Sequence, residues 1–268
     1  MTCRLILCAD DFAYSRAISE TIVELAAAKK INATSCMTVC PGWEADSKLL
    51  GSLSPGTQVG LHLVLTGERP LTTMPRFAPK GVMPDHDPLM VGAMKRVLPS
   101  DEIATEIREQ FRRFIDVMGH PPDFVDGHQH SHVLPRIRSM VLEQTSIYAP
   151  NAWIRDCYDR LPAIAARPYR LKAIGSALHS AGLRRAASRY GLKCNSGFSG
   201  HYDFQSNYSD LFPAFLAKPG KTHLIMCHPG AGAAPGDAIA GARVREADAL
   251  RKLPIADMAQ RHGLEFAA

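Results

Sequence analysis

The sequence predicts a parallel α/β barrel built as one domain, and three observations carry that prediction. Short apolar runs of strand length alternate with segments of helical periodicity, the order that builds parallel βαβ units. The 268 residues suit an α/β barrel filling one domain. Finally, four apolar runs end on carboxylates or histidines. Leu5 to Ala9 leads to Asp10 and Asp11, and Gln58 to Leu61 leads to His62. Phe124 to Asp126 leads to His128, and Thr222 to Cys227 leads to His228. A parallel barrel gathers its strand ends on one face, where such enzymes keep their chemistry. Adjacent carboxylates repel, so Asp10 and Asp11 need a cation, a base role or solvent to account for their charge. The pattern points to a metal-dependent hydrolase.

The first strand leads into a helix over about 15–30. Ile18, Ile22 and Leu25 repeat at helical spacing, Ser15 can cap the start, and Lys29-Lys30 suit the negative end of the helix dipole. A β-rich run from Ala33 to Val39 follows, closed by Pro41-Gly42, and a third strand carries His62. Residues 66–100 hold Pro70, Pro75, Pro79, Pro84, Pro88 and Pro99 with little periodicity, and read as a long loop insertion lining the cleft. Over 101–118, Ile103, Ile107, Phe111, Phe114, Ile115 and Met118 form one apolar helical stripe, with Glu106, Arg108 and Glu109 on other faces. Gly119 and Pro121-Pro122 stop this helix. A helix is expected after Pro135, basic helical segments over 160–191, and a terminal helix over about 243–261. No repeat or low-complexity tract divides the chain, so 1–268 reads as a single domain.

Composition bounds the class. Hydrophobic content of 46% and charged content of 21% are ordinary for a soluble globular protein, and a net charge of +5 is too weak to argue for nucleic acid. No apolar stretch approaches the ~20 residues that span a bilayer. The N-terminal apolar run, broken at Asp10, does not read as a secretory signal. The seven cysteines are scattered and form no C-x-x-C, so a reduced cytoplasmic protein without disulfides is expected.

Asp11, His62 and His128, drawn from three strand ends, would make a two-histidine, one-carboxylate metal set with open positions. Alone, each residue reads as a solvated turn or a core histidine; four polar strand ends together read as a site. In the run 126–132, an extended backbone would put His128, His130 and His132 on one face. One metal ligand and two histidines near the substrate is the economical reading there, and Asp126 is placed to orient a histidine or the backbone. The loop Gly230 to Gly236 fails the dinucleotide and P-loop patterns. Arg184, Arg185, Arg189 and Lys193 read as a solvated helix face. Ser196 and Ser199 lack a G-x-S-x-G elbow.

Ala9-Asp10-Asp11-Phe12, Gly60-Leu61-His62-Leu63, Asp126-Gly127-His128-Gln129-His130-Ser131-His132 and Cys227-His228-Pro229 together resemble the YdjC-like carbohydrate deacetylases, a group with chitooligosaccharide and hopanoid-associated members. The resemblance runs in order over most of the chain, and one departure is Ala13, where the family usually has glycine. It implies a distorted (β/α) barrel of mostly parallel strands, polysaccharide-deacetylase-like. The implied activity removes the N-acetyl group from an amino sugar in a GlcNAc-containing oligosaccharide or glycolipid. By the same resemblance Asp11, His62 and His128 bind one divalent metal ion, Mg or Zn foremost with Ni or Co as alternatives, and Asp10 is the catalytic base. His228 is the candidate general acid, and Phe12, His130 and His132 are candidate substrate contacts. Arg155 either holds Asp10 ionised or pairs at the surface with Asp156 or Asp159. A non-haem iron oxygenase and an inactive sugar-binding barrel are the competing readings. The expected partner is a small glycan or glycolipid, with no nucleic acid and no transmembrane segment, and with room for a homodimer.

Overall fold

The computed structural model describes residues 3–232, 234 and 236–268. The chain opens with β1 (Cys3–Phe12), α1 (Arg16–Ala27), β2 (Ala33–Cys36), α2 (Trp43–Asp46) and β3 (Gln58–Leu63). Next come α3 (His86–Lys95), α4 (Ser100–Met118), β4 (Phe124–Gly127), α5 (Ile137–Tyr148) and β5 (Trp153–Ile154). Three helices follow, α6 (Leu161–Ala165), α7 (Arg170–Ser180) and α8 (Leu183–Ser188), then β6 (Lys193–Cys194) and β7 (Gly197–Ser199). The chain closes with α9 (Tyr208–Phe215), β8 (Thr222–Cys227), α10 (Ala240–Lys252), α11 (Ile255–Arg261) and β9 (Leu264–Glu265).

The strands form one sheet in the order β6-β5-β4-β3-β2-β1-β8-β7, with β9 also beside β1, and the pairs are parallel. Leu5 to Ala9 of β1 is buried throughout, as expected of a parallel strand covered on both faces. The two ends of this order, β6 and β7, are separated in the chain only by Asn195 and Ser196, so the sheet curls into a distorted barrel. Buried Asn195 bridges that seam. Its Oδ1 accepts from the Asp156 N–H at 2.6 Å, and its Nδ2 donates to the carbonyls of Asp156 and Gly197 at 2.9 Å. One side chain thus supplies bonds that a strand ladder would otherwise make.

Several elements differ from the sequence reading, each for a physical reason. Helix α1 starts as expected, with Ser15 accepting from the Ile18 N–H. The terminal helix breaks at Leu253-Pro254 into α10 and α11, because proline has no N–H to donate. The proline-rich insertion contains α3, with Pro88 in its first turn, where a missing N–H costs nothing. It also buries Met74, Phe77, Met83 and Leu89. Glu106 does not join the solvated face of α4: Glu102, Glu106 and Gln110 are buried at helical spacing. Glu106 accepts the N–H groups of Leu71 and Thr72, and Glu102 those of Arg76 and Phe77, so this helix anchors the insertion's backbone. All seven cysteines are free thiols. Among the described residues no helix is long and apolar enough to cross a membrane.

Candidate active site and metal centre

In a regular strand, neighbouring side chains point to opposite faces, so Asp10 and Asp11 should diverge. They do not. The pairing of β1 with β2 slips between Ala9 and Phe12, and Asp11 takes a left-handed backbone, φ 68°. This bulge turns both carboxylates into one cavity of about 340 Å³ at the carboxyl ends of the strands. The pair therefore does not terminate β1, which continues to Phe12.

Asp11, His62 and His128 present ligand atoms that all lie within 4.8 Å of one another. Asp11 Oδ1 is 3.3 Å from His62 Nε2 and 3.0 Å from His128 Nδ1. The far side of each group is engaged elsewhere. His62 Nδ1 is 2.7 Å from Asp126 Oδ1, which leaves Nε2 to face inward, and Asp11 Oδ2 accepts from Arg243 Nη2 at 2.8 Å. Outer partners of this kind orient the ligands of metal sites. Two imidazole nitrogens and one carboxylate oxygen beside a cavity fit a divalent cation with positions left open.

Charge in the centre is tightly balanced. Burial would raise the Asp11 carboxyl, but the Arg243 guanidinium and His128 outweigh it and hold it well below the carboxylate range. Burial would lower His62, yet Asp126 and Asp11 push it up to about 10. A cation entering between these groups has to displace that proton.

Asp10 has different partners. Arg155, fully buried, donates from Nη1 to Oδ2 and from Nη2 to Oδ1 of Asp10, both at 2.6 Å. The same guanidinium pairs with Asp126 and reaches Cys8 Sγ at 3.1 Å. Burial would raise Asp10, but the bidentate Arg155 contact overrides it and keeps the carboxyl well below its usual range. His228 Nε2 lies 3.9 Å from Asp10 Oδ2. Behind His228, buried Glu246 accepts its backbone N–H and the Tyr202 hydroxyl, the latter at 2.6 Å.

The structure thus brings Asp10, Asp11, His62, His128, His228 and Arg155 together. Arg155 does not pair with Asp156 or Asp159, which are held by Arg184 and Arg167. The histidine run departs from the extended reading. Residues 128–133 coil, with Gln129 and His130 left-handed at φ 51° and 59°, so the three rings diverge. His130 stays in the cavity, edge-on to Phe198 and His201. His132 does not reach it: the ring is fully buried and its Nε2 donates to the Arg155 carbonyl at 2.8 Å. Phe12, likewise fully buried, packs in the core and not against the cleft. Of the insertion 66–100, His86 lines an adjoining cavity that shares His130, Lys172 and His201 with the main one. In the glycine-rich loop after β8, Ala233 and Pro235 lie outside the described residues. Sequence reasoning missed Arg243 and Glu246. They stand three apart on a helix rich in solvated charge, and no periodicity marks them as buried.

Residues 4–261 match the model of the family described as YdjC-like protein. The chitooligosaccharide deacetylase of Klebsiella pneumoniae subsp. pneumoniae is 30% identical over 226 residues, 84% of this chain and 81% of that protein. That of Proteus mirabilis is 36% identical over 139 residues, about half of each chain at 52% and 54%. A solved structure of a candidate cellobiose-phosphate cleavage protein from Enterococcus faecalis V583 superposes with a TM-score of 0.74 at 18% identity, covering 100% of this chain and 97% of that one. At that identity the likeness speaks for the fold alone.

Proposed function

The chain belongs to the YdjC-like family, and from that premise we propose a metal-dependent amide hydrolase that removes the acetyl group from an acetylated amino sugar. One observation carries the reading. The two neighbouring carboxylates are divided between partners, Asp11 facing His62 and His128, and Asp10 held by Arg155 beside His228.

Asp11, His62 and His128 would hold the cation, and the two imidazole nitrogens favour Zn²⁺, Co²⁺ or Ni²⁺ over the oxygen-seeking Mg²⁺. When bound there, a divalent ion lowers the pKa of water and polarises an amide carbonyl. Asp10, kept ionised and fixed in direction by Arg155, takes the proton of the attacking water. His228 then protonates the departing amine, which leaves poorly as an anion. Glu246, bound to the His228 backbone N–H, keeps that ring over Asp10. The cavity of about 340 Å³ suits one sugar ring at the reacting position, and the named relatives favour an N-acetylglucosamine oligomer. Seven free thiols support a cytoplasmic setting.

The test is acetate release under anaerobic conditions from N-acetylated mono-, oligo- and lipid-linked sugars, with Zn²⁺, Co²⁺, Ni²⁺ or Mg²⁺ supplied in turn. Asp10→Asn should retain stoichiometric metal and lose at least about 100-fold in turnover. An absolute requirement for oxygen would overturn the hydrolase reading. Near-normal turnover by Asp10→Asn would remove that residue as base.

A further inference from the structure

Helix α7 is built inside out. It buries Ala177 and Ser180, while Leu171 is 85% exposed, Leu178 69% and Ile174 38%. Residues 171, 174 and 178 are spaced i, i+3, i+7 and share one face, so the apolar stripe of this helix points to solvent. Leu161, on helix α6 that packs against α7, is exposed as well, at 71%. Helices that pack on a barrel normally do the opposite, turning leucines inward and small residues out. An exposed apolar stripe of this kind marks an interaction site.

The surrounding charge indicates what the site meets. From residue 160 to 202 the chain has eight lysines and arginines and no aspartate or glutamate. The whole protein has 31 basic and 26 acidic residues, so outside this segment the net charge is negative. Two of the eight cations are neutralised, Arg167 by Asp159 and Arg184 by Asp156. Arg170 is exposed next to Leu171, and exposed Arg185 lines a surface pocket with Ser180 at the end of α7. Exposed leucines on a segment with basic residues and no acidic ones match an anionic bilayer, with apolar side chains entering the acyl boundary and cations at the phosphates. A second copy seated symmetrically on this face would set the same cations against one another.

We propose that α6 and α7 dock this protein on an anionic lipid surface. The docking is independent of the chemistry in the cleft. It nonetheless sets the cleft near the bilayer, because Lys172, the chain neighbour of exposed Leu171, lines the catalytic cavity and donates to the Tyr202 carbonyl at 2.7 Å.

The test is co-sedimentation of the full chain with vesicles of phosphatidylcholine alone and of phosphatidylcholine mixed with phosphatidylglycerol. Binding should require the anionic lipid and weaken steeply with added salt. Leu171→Ser combined with Leu178→Ser should reduce the partition by more than about tenfold. Both side chains are exposed, so the variant should keep its melting temperature. Arg170→Gln combined with Arg185→Gln should weaken binding and flatten its salt dependence. Failure to bind anionic vesicles at low salt, or binding indifferent to the leucine pair, would overturn the proposal. Concentration-dependent self-association abolished by the leucine variant would do so too, by assigning the face to a second copy. None of these readouts uses deacetylation, so they stand or fall apart from the proposed activity.

Discussion

Replacing Arg155 by methionine is the sharpest test of how this centre is held together. The side chain is fully buried, bonds both oxygens of Asp10 at 2.6 Å, and pairs with Asp126 through the same guanidinium. Methionine fills similar volume but leaves two carboxylates in the interior without their cation. Removing one partner of a buried pair costs about 3–5 kcal/mol, most of it the uncompensated charge left behind. At about 2 cal/mol/K per residue of unfolding entropy, a loss near 4 kcal/mol should lower the melting temperature of a chain this long by about 7 °C. The mechanism also predicts non-additivity. Asp10→Asn removes a stranded charge in the Arg155→Met background but breaks a good pair in the native one. A double-mutant cycle by urea denaturation should therefore show a coupling of about 3 kcal/mol. If Asp10→Asn costs the same in both backgrounds, or Arg155→Met costs under about 1 kcal/mol, the guanidinium is not what offsets these charges.

Three further outcomes are expected. His62→Ala and His128→Ala should each abolish stoichiometric metal binding by calorimetry, and tight one-to-one binding retained by either would exclude it as a ligand. Ala13 is buried at φ 73°, where a Cβ is strained, so Ala13→Gly should gain about 1 kcal/mol; a loss of stability would show that the methyl's packing outweighs the strain. Burial holds His132, His201 and His223 down at about 4, below the roughly 6.5 of an unfolded chain. The unfolded state therefore takes up these protons first, and stability should fall as pH drops from roughly 6.5 toward 4, by about 1.4 kcal/mol per pH unit per histidine. Urea midpoints at pH 6 and 5 check this, and equal midpoints would refute it.

Much of the fold and site was legible because barrel strands end where their chemistry is. Asp10, His62, His128 and His228 could be aligned from strand ends alone. The dominant helix was legible in its apolar stripe, but not in its buried Glu102, Glu106 and Gln110. Those polar residues are buried because they bind the backbone of an insertion distant in sequence, a contact with no periodic signature. The inverted helix α7 deceives for the opposite reason. Its pattern is that of an ordinary amphipathic helix, and only tertiary packing shows which face was turned in.

The sequence by itself determined the alternation of strands and helices, the parallel sheet and the set of groups at its strand ends, since these follow from local periodicity. Tertiary structure alone decided what each group faces. The bulge at Asp11 overrides strand alternation to bring both carboxylates into one cavity. Arg155 and Arg243, one on each carboxylate, then separate Asp10 from Asp11. Two adjacent anions are chemically alike along the chain, and they differ only through the cations that the fold sets beside each one.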